Sequence, residues 1–232
     1  MGLFERIHGR EGKDIPMPER GLKRFFSVLF THFWKFIGVN LLFALFSVPV
    51  VTLPAALCAM NRVLVKLTRD GNVLLWEEFR DEFKADVLSA FLPGLLFASS
   101  IFGAYFFMSL ASGNSAYPGW CLLFWCVGIF LLIFGVCTGE TFFVMKAELA
   151  LRFKDLLKNA VLLSAAEFGT SFTVLASVLT AVFTMAVLMP FSLFLMLLFV
   201  PALTQYIVCF SVNSIVQKNV IGPYENREKE KN

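Results

Sequence analysis

Four stretches of the chain are almost free of charge: residues 36–59, 91–111, 120–138 and 172–212. Each can cross a hydrocarbon layer of about 30 Å, which takes roughly 20 helical residues. The last is long enough for two passages, with Pro190 at their meeting point. Lipid offers the backbone no hydrogen-bond partners, so the spans must be helices or a closed barrel. The apolar residues do not alternate as barrel strands do. The pattern therefore predicts an all-α polytopic membrane bundle. Between spans the period changes. Leu75, Phe79, Phe83 and Val87 recur at four-residue spacing, with Glu and Arg on the other side. Residues 75–88 thus read as an amphipathic helix on the cytoplasmic membrane surface, or as a solvated connector packed on the bundle. Phe79 and Phe83 are expected to face membrane or bundle, and Glu78 and Asp81 water. Residues 146–164 carry a similar pattern.

Prolines divide the first apolar run. Residues 25–47 predict one helix of about 34 Å. Pro49 and Pro54 then interrupt it, and Pro54 suits the first turn of a returning helix over 55–67. The favoured architecture is six transmembrane helices arranged as three hairpins. The alternative is five spans with an interfacial helix at 21–35, or with 53–67 re-entrant. The organisation expected is a cytoplasmic N-terminal segment (1–24), one membrane-embedded helical domain (25–218) and a charged cytoplasmic tail (219–232).

Charge orients this pattern. Charged residues make up 16% of the chain and hydrophobic ones 58%, against about 25% and 45–50% in soluble domains. Lys and Arg collect on the cytoplasmic side of short loops. Arg6, Arg10, Lys13, Arg20, Lys23 and Arg24 precede the first span. Arg62, Lys66, Arg69, Arg80 and Lys84 lie between Met60 and Ala90, the first two toward the cytoplasmic end of the returning helix. Lys146, Arg152, Lys154 and Lys158 lie between the fourth and fifth, and Lys218, Arg227, Lys229 and Lys231 after the last. The loops 112–118 and 189–192 have none and are expected outside. Both termini are expected in the cytoplasm, in a multi-pass protein of the plasma membrane. The first 24 residues have no apolar core of a cleavable signal peptide.

Candidate chemistry is sparse. The motifs GxxxxGK[ST], HExxH, GxSxG and CxxC do not occur. The histidines are His8 and His32, and the five cysteines lie in apolar segments as small packing residues. An enzyme is not expected, nor are a cofactor, a metal or a nucleic-acid partner. Ionisable and amide groups in or bordering the spans are the candidates instead: Lys35, Asn40, Asn61, Arg62, Glu140 and Glu167. Helix rise places Lys35 and Arg62 at a common depth and both carboxylates at the inner interface. Two neighbouring cations call for a neutralising group, so Glu140 or Glu167 is expected beside one of them. The plainer reading is snorkelling cations with amides as interhelical glue.

An internal repeat also shows at an offset of 152 residues. Leu41, Leu45, Val48-Pro49, Thr52, Asn61 and Lys66 match residues of the 193–218 stretch, among them Val200-Pro201, Thr204, Asn213 and Lys218. Such repeats are common in transporters.

Residues 40–84 read NLLFALFSVPVVTLPAALCAMNRVLVKLTRDGNVLLWEEFRDEFK. With Asn40-Leu41-Leu42, Pro49, Thr52 and Pro54-Ala55-Ala56, this segment resembles the YesL-like family of bacterial membrane proteins, a domain of unknown function. Lys158-Asn159-Ala160 resembles a second family feature, opening a later span. Phe43 stands where the family often has Trp. The resemblance implies an accessory or transporter-like component linked to carbohydrate uptake, with the lipid bilayer and a carbohydrate ABC transporter permease as partners. It transfers no catalytic residue. The other classes to weigh are a membrane enzyme acting on lipid or lipid-linked sugar, and a structural or assembly factor.

Overall fold

Pro54, the second family-like proline, stands in the opening turn of the helix around which the others gather. The structure is a computed structural model that describes residues 21–71, 73–113, 118–149, 151–189 and 191–221. Among the described residues there are ten α-helices and no strands. They are α1 (Leu22–Thr31), α2 (Phe33–Phe46), α3 (Leu53–Asp70), α4 (Leu75–Asp86) and α5 (Phe91–Gly113). Then come α6 (Pro118–Glu148), α7 (Phe153–Ala166), α8 (Phe168–Val187), α9 (Ser192–Leu198) and α10 (Val200–Val216). A π-helical turn, Gln217–Ile221, ends the described chain. Most of the N-terminal segment, nearly all of the charged tail, the loop at 114–117 and Pro190 lie outside the described residues.

Four helices are long and apolar enough to cross a membrane: Val50–Asp70, Phe91–Gly113, Gly119–Glu148 and Phe168–Val187. Leu22–Thr31 with Phe33–Phe46 makes a fifth if that bent pair is one span. Several long apolar helices of this kind suggest a multi-pass membrane protein. At 1.5 Å per residue α6 runs about 46 Å, so it outreaches a hydrocarbon core of about 30 Å.

The single helix expected over 25–47 is a correction. The chain breaks at His32, and the two pieces lie at 76°. The partners of α1 hold that bend. Arg24 donates to the carbonyls of Thr68 (2.8 Å) and Arg69 (2.6 Å), which the end of α3 leaves without intrahelical partners. Tyr206 donates to the carbonyl of Phe25 at 3.1 Å, and the two rings stack at 4.7 Å. Hydropathy carries no trace of contacts 44 and 181 residues apart in sequence.

Helix α3 is the hub. Ala55, Ala56, Cys58, Ala59, Met60, Asn61, Val63, Leu64 and Leu67 are all essentially buried, and α4, α6 and α10 pack on it. Its start is held tightly. The Thr52 hydroxyl lies 2.7 Å from the carbonyls of both Phe46 and Pro49, closing the turn out of α2. Pro54 packs on Gly94 of α5, where an added Cβ would stand 2.7 Å from the proline Cβ. Gly94→Ala is therefore expected to cost about 1–3 kcal/mol by overpacking. Gly113→Ala meets nothing within 4 Å and is expected to be neutral, so thermal unfolding of the pair in detergent checks the contact.

The surface helix forms as expected, over Leu75–Asp86. Phe79 is fully buried, and Phe83 packs on Phe46 with ring centroids 4.6 Å apart. Asp81 is exposed, whereas Glu78 turns inward to an ion pair with Lys66. The stretch expected to hold two spans contains α8 and then a broken helix, α9 and α10, interrupted at Phe199 with φ −150° and ψ −34°. Lys158-Asn159-Ala160 lies inside α7 rather than opening a span; Ala160 is buried against the bundle. Both repeat prolines open inner helices: Pro49 precedes the turn into α3, and Pro201 sits in the first turn of α10.

Candidate functional site

Interrupting a helix among apolar side chains strands its end groups. At Phe199 the last carbonyls of α9 and the first N–H groups of α10 lose their intrahelical partners, and Pro201 has no N–H to offer. Asn40, fully buried on α2, fills the gap. Its Nδ2 donates to the carbonyls of Met196 (2.8 Å) and Leu197 (2.7 Å), while its Oδ1 accepts from the amide of Ala202 at 2.9 Å. One carboxamide thus ties three backbone groups across the break. The motif is mechanical: Asn40 clamps, Thr52 and Pro49 turn the chain, and Pro54, Ala55 and Ala56 seat α3. Leu41 is exposed and Leu42 packs on the core.

A polar seam follows the α3–α6–α10 contact. Gln205 donates to Glu140 Oε2 at 2.9 Å. One turn along α10, the Cys209 thiol donates to Asn61 Oδ1 at 3.4 Å. Asn61 is fully buried, and its Nδ2 has no partner among the described residues. With its amide nitrogen turned toward α6, Asn213 donates to both carboxylate oxygens of Glu148 at 3.0 and 3.1 Å. Gln205, Cys209 and Asn213 recur every four residues and form one face of α10.

At the basic end of the bundle, α4 lies across three cations. Arg62 Nε is 4.0 Å from Glu82 Oε2, and its Nη1 donates to the carbonyl of Ala147 at 2.6 Å. Lys66 pairs with Glu78. Lys146 of α6 donates to Asp86 Oδ1 at 2.8 Å and to the Ser89 hydroxyl oxygen at 3.0 Å. Ser89 in turn donates to Asp86 at 2.6 Å. The Lys146 and Asp86 side chains are only 15% and 10% exposed, so neither is free of the other's charge. Burial pushes the Glu82 carboxyl above the usual carboxylate range, and the Arg62 guanidinium pulls it part of the way back.

The expected direct pairing of Glu140 or Glu167 with Lys35 or Arg62 is not among the ion pairs of the described residues. Glu140 bonds Gln205, and Glu167 accepts from Asn219 at 3.0 Å. Arg62 finds its carboxylate in Glu82, and Lys35 donates to the Val73 carbonyl at 3.5 Å. The physical reason is α4: it returns against α3 and α6 and delivers Glu78, Glu82 and Asp86 to the cations first. Of the six candidates, Asn61 and Glu140 share the α10 seam, Asn40 stands at the helix break, and Arg62 joins the α4 junction. Lys35 and Glu167 have separate partners. Sequence reasoning passed over Asp86, Ser89 and Gln205. Asp86 had a signal, an acid at the end of an amphipathic helix beside an apolar span.

Residues 36–108 match the model of the family described as "Protein of unknown function, DUF624". The match covers under half of the chain, from α2 into α5, and contains the Asn40 clamp, the Pro49–Thr52 turn, α3 and α4. No curated protein and no solved structure matches the chain. The matched segment supplies Asn40, Asn61 and Asp86, whose partners Met196, Leu197, Ala202, Cys209 and Lys146 lie outside it on α9, α10 and α6.

Proposed function

We propose that this chain is an accessory or transporter-like component of the plasma membrane, YesL-like and linked to carbohydrate uptake, working beside a carbohydrate ABC transporter permease. The observation that carries the transporter-like part is the interrupted α9–α10 helix, clamped by Asn40 inside the bundle. Transporter folds use such discontinuous helices at their binding sites. The carbohydrate part rests on the family resemblance of residues 40–84. In this reading the chain crosses six times, counting α1–α2 and α9–α10 as one span each. Arg24 at the start of the first span bonds the end of α3, and Asn213 near the end of the last meets Glu148 at the end of α6. Both contacts support an even number of crossings, and the distribution of Lys and Arg supports placing both termini in the cytoplasm.

The test is uptake and capture together. Cells lacking the protein are expected to take up fewer labelled oligosaccharides, and the tagged chain in mild detergent to retain a sugar permease. Unchanged uptake across a panel of sugars, with no permease retained, overturns the reading.

A second reading, a membrane enzyme acting on lipid or lipid-linked sugar, draws on Ser89 lying 3.0 Å from Lys146. A serine–lysine pair catalyses acyl transfer only when the lysine is neutral and can accept the hydroxyl proton. Here the Ser89 hydroxyl donates to Asp86 at 2.6 Å rather than to the lysine, and Lys146 donates to the same carboxylate at 2.8 Å, which supports a structural role for this cluster. A structural or assembly factor needs neither the break nor the cluster to act on a ligand.

A further inference from the structure

The two short helices at the basic end carry opposite charge. Helix α4 has Glu77, Glu78, Asp81, Glu82 and Asp86 against Arg80 and Lys84. Residues 151–166 have Arg152, Lys154 and Lys158 against Asp155 alone. The cations on α3, α4 and α6 are mostly paired, Lys84 excepted. Arg62, Lys66, Arg69, Arg80 and Lys146 each have a carboxylate within 4.0 Å. Arg152, Lys154 and Lys158 are exposed, and none has such a partner among the described residues.

Helix α7 has a defined inner face: Leu156, Ala160 and Leu163 are buried against the bundle. Lys154 and Lys158, one turn apart, share a face pointing away from Leu156 and Ala160, because residues two apart on a helix differ by about 200°. Beside them Leu151 and Phe153 are 41% and 36% exposed. Unpaired cations next to exposed apolar side chains, on a helix lying against a membrane bundle, are what an acidic headgroup layer attracts.

We propose that the segment 151–158 is a binding surface for anionic phospholipid headgroups, with Arg152, Lys154 and Lys158 contacting phosphate and Leu151 entering the acyl boundary, while Phe153 anchors the segment on the buried Phe142 ring at 5.7 Å. The acidic helix α4, held to the bundle through its own carboxylates, is repelled by the same headgroups, so the lipid contact is one-sided. The proposal uses the multi-pass reading of the chain and is independent of any role in uptake.

The test uses the full chain in detergent with phosphatidylglycerol or phosphatidylcholine added, followed by native mass spectrometry and thermal unfolding. Phosphatidylglycerol is expected to bind the wild type more tightly and to raise its Tm, an effect that added salt weakens. The variant R152Q/K154Q/K158Q is expected to bind it roughly ten- to a hundred-fold more weakly. The charge-preserving K154R/K158R should retain binding, as should Arg80→Gln, whose partner is already Asp81. These are surface positions, and an unchanged Tm without lipid confirms that the triple variant folds. Wild-type affinity in the triple variant overturns the proposal. Equal response to both lipids does so too, and so does the same stabilisation by inorganic phosphate.

Discussion

Asn40→Leu is expected to be the most damaging single substitution in the chain. Leucine has the same branched heavy-atom skeleton, but its two methyl groups are bulkier than the planar amide, so some overpacking adds to the loss. What is lost is the clamp: the carbonyls of Met196 and Leu197 and the amide of Ala202 are left unpaired in a dry interior. A buried polar group without a partner costs about 1–3 kcal/mol, so three together are expected to cost about 3 kcal/mol or more. Asn40→Asp is the sharper test, because its shape is almost unchanged. An ionised aspartate keeps the acceptor for Ala202 but turns its second oxygen toward two carbonyls, where only a donor fits. It is expected to be no better tolerated than leucine. Thermal unfolding in detergent and the yield of folded protein measure both. Wild-type stability in Asn40→Asp would mean that the clamp does not hold the α9–α10 break.

The second large effect is expected at Asp86 and Lys146. Their side chains are 10% and 15% exposed and 2.8 Å apart. Removing one partner from a buried ion pair leaves a charge without compensation, at about 3–5 kcal/mol. Asp86→Asn and Lys146→Met are each expected to lower the melting temperature by roughly 10 °C, taking about 2–4 °C per kcal/mol for a chain of this size. The double variant is expected to lose less than the sum of the two, because it leaves no unpaired charge. Strict additivity would mean that the two charges are independently solvated, and that α4 is held by its packing on α2 and α3.

Much of the helical pattern was legible in the chain. Runs of apolar residues without charge can only be helices or a barrel in lipid, and three of the four long helices fall on those runs, while the first run is divided between α2 and α3. The four-residue spacing of Leu75, Phe79 and Phe83 placed α4 within two residues of its observed end. Pro54 marked the first turn of α3, because a ring without an N–H fits there and not deeper in a helix. In each case the deciding physics is local: solvent, backbone hydrogen bonding or side-chain period within a few residues.

The bonds that join the helices were not legible. Asn40 stood out as an amide in an apolar run, but only the fold shows it bonded to residues 156, 157 and 162 positions away. The helix break at His32, Gln205 as the partner of Glu140, and Glu82 in place of Glu140 beside Arg62 were decided in the same way. Hydropathy fixes how far along its own helix each polar group sits. It does not fix which helix comes to face it, because a buried donor or acceptor takes whichever partner the packing of the whole bundle brings within about 3 Å.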